Sequence, residues 1–157
     1  MASCSQERYI IVTVEEFNRM MLDNSKKIAD YVMLPTAVQL VNLVRHRVQQ
    51  TGKKAEGGSF SEYSAAYLKK RRDVTGFKNF TATGAMWDSF GVKDIDNTLG
   101  NSVFIARMDD DSRNSTTNQG LVEIHSDREN SELIAPSEEE VKIVNKSMNE
   151  RLQQLWA

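Results

Sequence analysis

Residues Gly57–Gly91 read GGSFSEYSAAYLKKRRDVTGFKNFTATGAMWDSFG. The stretch joins a glycine turn, a Tyr-Ser-x-x-Tyr segment at Tyr63 and Tyr67, four consecutive cations at Lys69, Lys70, Arg71 and Arg72, and a turn through Thr83, Gly84, Met86 and Trp87. It contains no nucleophile–base pair and no metal-ligand spacing. A segment built this way makes contacts, and it predicts an assembly protein rather than an enzyme.

Local signals on either side place this segment. Ser61 is a suitable cap for a helix over Glu62–Asp73, on which Tyr63, Ala66 or Tyr67, and Lys70 share a face, with Gly76 marking its end. Thr81–Thr83 leads into a helical turn over Gly84–Phe90 that Gly91 closes. Upstream, Lys53–Ser59 is a polar loop. Before it, Ala37, Leu40, Val41, Val44 and Val48 recur at helical spacing and Thr51-Gly52 ends the run, which predicts a core helix over 36–50 with Gly52 just past its end. Pro35 lacks an N–H and disfavours α geometry at Leu34, so a break or kink is expected there. Further upstream, Thr13 and Glu16 form a capping box. The helix it opens carries Phe17, Met20, Met21, Ile28, Tyr31 and Val32 near one face, interrupted by Asn24. The short run Tyr9–Val12 fits a strand or a helix lead-in.

Downstream the pattern changes. Val92–Ile95 and Ser102–Met108 read as strands joined near 97–101. Asp109–Gly120 has no apolar residue and predicts a mobile loop. Leu121–Ile124 reads as a returning strand that would pair with 102–108, with a helix as the competing reading. Ser137 and Glu140 form a second capping box, with three acids at the positive end of the helix dipole and an apolar stripe of Val141, Val144, Met148, Leu152 and Leu155 behind them. The expected fold is α+β in a single domain over 1–157, with N-terminal helices packed on a small antiparallel sheet and a C-terminal helix, and a flexible tail over 1–8.

The chain has 157 residues and a formal net charge of -2, with 39% hydrophobic residues and a mean hydropathy of -0.51. Those values allow a modest core and leave much polar or interface surface. No run approaches the ~20 apolar residues of a membrane span, and MASCSQERY has neither the basic nor the apolar region of a secretory signal. Cys4 is the sole cysteine, which excludes an internal disulfide, and an inert thiol on a tail is the expected reading. Charge is unevenly spread. Residues 45–78 carry 9 basic and 3 acidic side chains, a net of +6, while residues 88–157 carry 7 basic and 14 acidic, a net of -7. Unlike stretches can pair within the chain, pair head to tail between identical subunits, or face different partners.

Candidate chemistry is sparse. His46 and His125 lack both a cysteine partner and the i, i+4 spacing of a helical zinc site. Asp109-Asp110-Asp111 lacks the glycine turn and terminal glutamate of a calcium loop. Gly52, Gly57 and Gly58 lack the Lys-Ser/Thr spacing of a phosphate loop. No cofactor, metal or catalytic residue is implied. The binding candidates are cationic: Arg45, Arg47 and the run Lys69–Arg72. Adjacent residues differ by about 100° on a helix, so the run cannot share one face and some of it must point outward. It is either a solubilising surface or a contact for phosphates or an acidic neighbour. Trp87 and Phe90 could stack on bases, but aromatics in a capped turn more often pack a core or an interface.

Across residues 36–91 the chain resembles tailed-phage tail-completion and head–tail joining (neck) proteins of the virion-morphogenesis or minor tail protein Z type. The resemblance lies in Arg45 and Arg47 before Thr51-Gly52, then Gly57-Gly58, then Tyr63-Ser64-Ala65-Ala66-Tyr67-Leu68-Lys69, then Asn79-Phe80-Thr81-Ala82-Thr83-Gly84-Ala85-Met86. Phe80 stands where leucine is commoner, and residues beyond 91 match only as strands followed by a helix. The resemblance implies a non-enzymatic virion protein that forms a ring of roughly six or twelve copies. The ring would sit between portal and tail around the DNA channel, touching portal and tail proteins and, non-specifically, packaged DNA. It would be assembled in the host cytoplasm and involve no membrane. A small nucleic-acid-binding protein using 45–78 is the alternative.

Overall fold

The computed structural model describes residues 13–70, 77–81, 84–96, 103–108, 112–113 and 116–157. The expected tail over 1–8 with Cys4, the Tyr9–Val12 run, Arg71, Arg72, Gly76 and Thr83 lie outside the described residues, as do all of 97–101 and parts of the 109–120 segment. The molecule is mostly helical. One helical path runs from Val14 to Thr51 as α1 (Val14–Ile28), a π-helical turn (Ala29–Met33), α2 (Leu34–His46) and a second π-helical turn (Arg47–Thr51). Thr13 opens it with the expected capping box: its hydroxyl accepts from the Glu16 amide at 3.2 Å and its own amide donates to the Glu16 carboxylate at 2.9 Å.

Pro35 does not break this path. Leu34 keeps right-handed helical geometry (φ -61, ψ -50) and donates its N–H to Ala29, five residues back. The widened turn just before the proline is a physical answer to it. Pro35 has no N–H to offer and its ring crowds the carbonyl one turn earlier, and a π turn moves that carbonyl away.

The path ends at Gly52, in the left-handed conformation at φ 62. A polar turn follows, closed by a bridge between Lys53 and Ser59, with Gly57 and Gly58 also at positive φ. The helix expected from Glu62 begins only at Ala65 (α3, Ala65–Lys70), because Ser61 is bonded elsewhere and Ser64 receives the Tyr67 amide at 3.3 Å instead. Helix α4 (Ala85–Asp88) follows Gly84, itself left-handed at φ 82. Strands β1 (Gly91–Asp96) and β2 (Val103–Arg107) pair antiparallel with Gly91 opposite Arg107, and the register slips between Asp94 and Asp96.

The sheet expectation holds only coarsely. Strands occur as two-stranded pairs, β1 with β2 and the two-residue β3 (Ser112–Arg113) with β4 (Thr116–Thr117). The returning strand expected at 121–124 is instead inside α5 (Asn118–Glu129). Thr117 caps it, accepting from the Gly120 amide at 3.0 Å, and this stops the polar segment from continuing as a loop. The chain closes with α6 (Glu138–Trp156), opened by the Ser137–Glu140 capping box.

Helices α2 and α6 lie antiparallel. At one end Arg47 meets Glu140, and at the other Arg151 donates to Thr36 at 3.0 Å and Gln39 at 3.3 Å. The core forms where α2 faces the α4 turn, the β1–β2 pair and α5. Val41, Val44 and Val48 of the predicted stripe meet Phe60, Phe80, Met86, Trp87, Phe90, Met108, Val122 and Leu133 there. Among the described residues no helix is long and apolar enough to cross a membrane.

Gly52 carries two constraints at once: its positive φ, and a position where a Cβ would collide with the Phe77 ring. Gly52→Ala is therefore expected to destabilise the fold by at least ~1–3 kcal/mol, read as a melting temperature lowered by several degrees. An unchanged melting curve would refute this account of the turn.

Candidate functional site

Among the described residues, the cations singled out by sequence lie in different settings. Arg47 is buried, 9% exposed, with every branch of its guanidinium engaged. Its Nε meets Glu140 Oε1 at 2.9 Å, Nη1 donates to the Lys53 carbonyl at 2.8 Å and Nη2 to the Ala135 carbonyl at 2.6 Å. Arg45 donates through Nη2 to the carbonyls of Trp87 at 2.6 Å and Phe90 at 2.9 Å, pinning the α4 turn to α2. Both are internal ties rather than surface for a DNA channel. Lys69 and Lys70 are exposed on α3. Trp87 is 1% exposed, its ring N–H donates to the Asn79 carbonyl at 3.2 Å, and Phe90 packs edge-on against it at 5.9 Å, so neither ring is presented for stacking on bases. Met86 is also in the core.

Tyr63 and Tyr67 do come together, stacked at 4.7 Å with 21° between their rings. The Tyr63 hydroxyl donates to Asn79 Oδ1 at 3.0 Å and accepts from the amides of Asn79 at 3.3 Å and Phe80 at 3.2 Å. Phe80 needs that support. Its φ is 54, a left-handed conformation that a bulky side chain pays for with roughly 1–3 kcal/mol of strain. Its ring is fixed edge-on to Phe60 at 5.0 Å and tilted against His125 at 4.9 Å.

These residues border an open hollow of about 480 Å³ between the start of α3, the 77–81 segment and α5. Tyr63, Tyr67 and Phe80 supply aromatic surface, and Lys78, His125 and Arg128 supply polar edges. Burial lowers the pKa of His125, and the cationic charges of Arg128 and Lys78 lower it further against the opposing pull of Glu129. His46, by contrast, is exposed on α2. Among the described residues no group of three or more His, Cys, Asp or Glu could hold a metal ion.

Behind the hollow sits a group that the sequence did not reveal. Glu129 is buried, and its carboxylate accepts from Lys78 Nζ at 2.7 Å, the Ser61 hydroxyl at 2.6 Å and the Ser61 amide at 2.9 Å. Lys54 Nζ donates to its backbone carbonyl at 2.6 Å. These partners lie 51 to 75 residues away in sequence, so no local spacing could announce them. Burial alone would raise the Glu129 pKa. The hydrogen bonds from Lys78 and Ser61 outweigh it and hold the carboxyl at about 2 against an ordinary 4.5.

The largest uncovered feature is α1. None of its residues is buried, and Val14, Phe17, Met20, Met21 and Leu22 are each more than half exposed. Helix α6 accompanies α2 and the first π turn; in α1 residues 14–23 are exposed, while Asn24, Ser25 and Ile28 are half-buried.

No protein-family model, curated protein or solved structure matches this chain.

A depressed carboxyl stabilises the fold above its unfolded pKa, and that contribution fades as pH falls from about 4.5 toward 2. The shift corresponds to at most ~3 kcal/mol. Glu129→Gln is expected to be less stable than wild type at pH 7, with the two converging as pH drops through this window. Parallel stability–pH curves from chemical denaturation would refute the role given to Glu129.

Proposed function

We propose that this chain is a non-enzymatic structural subunit of a phage virion, of the head–tail connector or neck type, acting in a ring between portal and tail. One observation carries the reading: the apolar face of α1 is uncovered over residues 14–23. Monomeric soluble proteins rarely present a contiguous apolar surface of this kind without a partner for it. The stripe that the sequence places on one face, Phe17, Met20 and Met21, is a docking helix for a neighbouring virion subunit, recognised through anchors at i, i+3 and i+4.

The nucleic-acid alternative loses much of its surface. Of the cations in 45–78, Arg45, Arg47, Lys54 and Lys78 bond within the molecule. Among the described residues Lys53, Lys69 and Lys70 remain outward, enough for weak, salt-sensitive contact with DNA or with an acidic neighbour.

The test is complementation in the phage that encodes the chain. Phe17→Glu combined with Met21→Glu alters only exposed side chains, so melting temperature should stay near wild type. Virions should fail at joining, with filled heads and free tails accumulating separately. Normal tailed virions from the double variant would sink the proposal.

A further inference from the structure

The hollow beside α5 has no part in the role proposed for α1, yet it is built like a binding site. Its volume of about 480 Å³ lies within the range of small-molecule sites, which join apolar walls to a few convergent polar groups. Its two sides differ in chemistry. The α3 side is aromatic: Tyr63 and Tyr67 stack on each other, Tyr63 is tied to Asn79 through its hydroxyl, and Tyr67 is half-buried. The α5 side is cationic. His125 and Arg128 stand three residues apart on one helix face, and Lys78 reaches in from the 77–81 segment. After burial, the charges of Arg128 and Lys78 are what lower the His125 pKa, with Glu129 opposing them, so both cations are close enough to be felt at the imidazole. This side has donors to spare. Lys78 Nζ carries three protons and gives two, to Ser61 Oγ at 2.6 Å and Glu129 Oε1 at 2.7 Å. Arg128 is exposed, and among the described residues neither its guanidinium nor the His125 ring makes a hydrogen bond. The charge beside the aromatic side is Glu62, an exposed carboxylate that accepts and cannot donate.

We infer that this hollow binds a nucleoside phosphate, with the base laid on the tyrosine side and the phosphate between Lys78 and Arg128. Each part of the ligand answers a different group. A flat ring suits the tyrosines, since base–aromatic stacking needs only a π face. A phosphate suits the cation pair, the guanidinium taking two of its oxygens side by side. Glu62 separates a base from a plain aromatic ring: it needs an N–H to accept, which the amino edge of adenine, cytosine or guanine has and a phenyl ring lacks. The site is also ready made. Tyr63 holds the Phe80 amide, Phe80 is fixed against Phe60 and His125, and Lys78 is anchored on Glu129, so binding has little left to order. Phe80 keeps its left-handed strain on the wall of a cavity, where strained residues hold a shape for a ligand.

Free nucleotides and single-stranded nucleic acid both present this chemistry, and the test separates them. The protein is titrated by calorimetry with dAMP, inorganic phosphate, phenyl phosphate and a short single strand of deoxyadenylate, while the His125 ring is followed by NMR. The expected result is saturable dAMP binding, about tenfold or more tighter than either inorganic phosphate or phenyl phosphate. The His125 pKa should rise on saturation, because the phosphate offsets its cationic neighbours. Arg128→Gln removes an exposed cation and Tyr67→Leu a half-buried ring, and each is expected to weaken dAMP binding about tenfold. Arg128→Gln should do so at an unchanged melting temperature, so the loss is not one of folding. A strand that binds more tightly than dAMP identifies a strand as the occupant, and one that binds no more tightly identifies the free nucleotide; both outcomes support the site. Absence of saturable dAMP binding at millimolar concentration overturns the inference. Equal binding of inorganic phosphate or phenyl phosphate overturns it too, as does dAMP binding that Arg128→Gln leaves unchanged. The proposed virion role is judged separately, since the complementation test changes Phe17 and Met21, which lie outside this hollow.

Discussion

The buried guanidinium of Arg47 is the interaction on which the rest of the arrangement depends. It joins three stretches of chain: the end of the long helical path, the carbonyl that follows Gly52, and the entry to α6. Glu140 serves two roles with two oxygens, giving Oε1 to Arg47 at 2.9 Å and Oε2 to the Ser137 amide at 2.7 Å. The capping box of α6 and the ion pair are thus one unit, and helix start and helix docking are fixed together. A buried pair of this kind adds little over an apolar pair of the same shape, but removing one partner leaves a charge stranded at a cost of about 3–5 kcal/mol. Its contribution is specificity: it sets where α6 begins against α2.

A second network resolves a local conflict. The 77–81 segment turns sharply enough to force Phe80 into left-handed geometry, and its strain is offset by contacts drawn from distant elements. The Tyr63 hydroxyl gathers two amides of the segment, the Phe60 and His125 rings hold the side chain, and Lys78 is anchored on Glu129. The same contacts shape the aromatic hollow beside α5, so its walls are set by packing and hydrogen bonds rather than by loop conformation.

What the sequence revealed, and what it hid, follows from the range of the forces involved. Both capping boxes, the α2 stripe, the Gly52 terminus and the β1 and β2 segments were legible because each is written within a few residues. Leu121–Ile124 was misread as a strand because four apolar residues fit either period, and the deciding signal was the Thr117 cap upstream. Ser61 looked like a helix cap, yet a buried carboxylate in α5 took both its donors. Arg45 and Arg47 looked like surface cations because side-chain direction is set by tertiary partners, 42 to 93 residues away. The break or kink expected at Pro35 is replaced by an unbroken helical path with a widened turn, and Leu34 keeps helical geometry.

The distribution of apolar residues carries the functional argument. The body buries Trp87, Met108 and Leu133 essentially completely, so the chain sequesters hydrophobic groups where it has partners for them, although Ile124, Ile143 and Trp156 stay exposed. Against that background the exposure of Phe17, Met20 and Met21 is not a shortage of core. Burying one such side chain is worth about 1.5–3 kcal/mol, so a row of them along one helix represents a substantial driving force for covering that face. The acidic first turn, the basic last turn and the capping box on Thr13 keep α1 helical while it waits for a surface to cover it. A helix stabilised at its ends and apolar along its side is suited to being covered by a neighbour, as the proposed role requires.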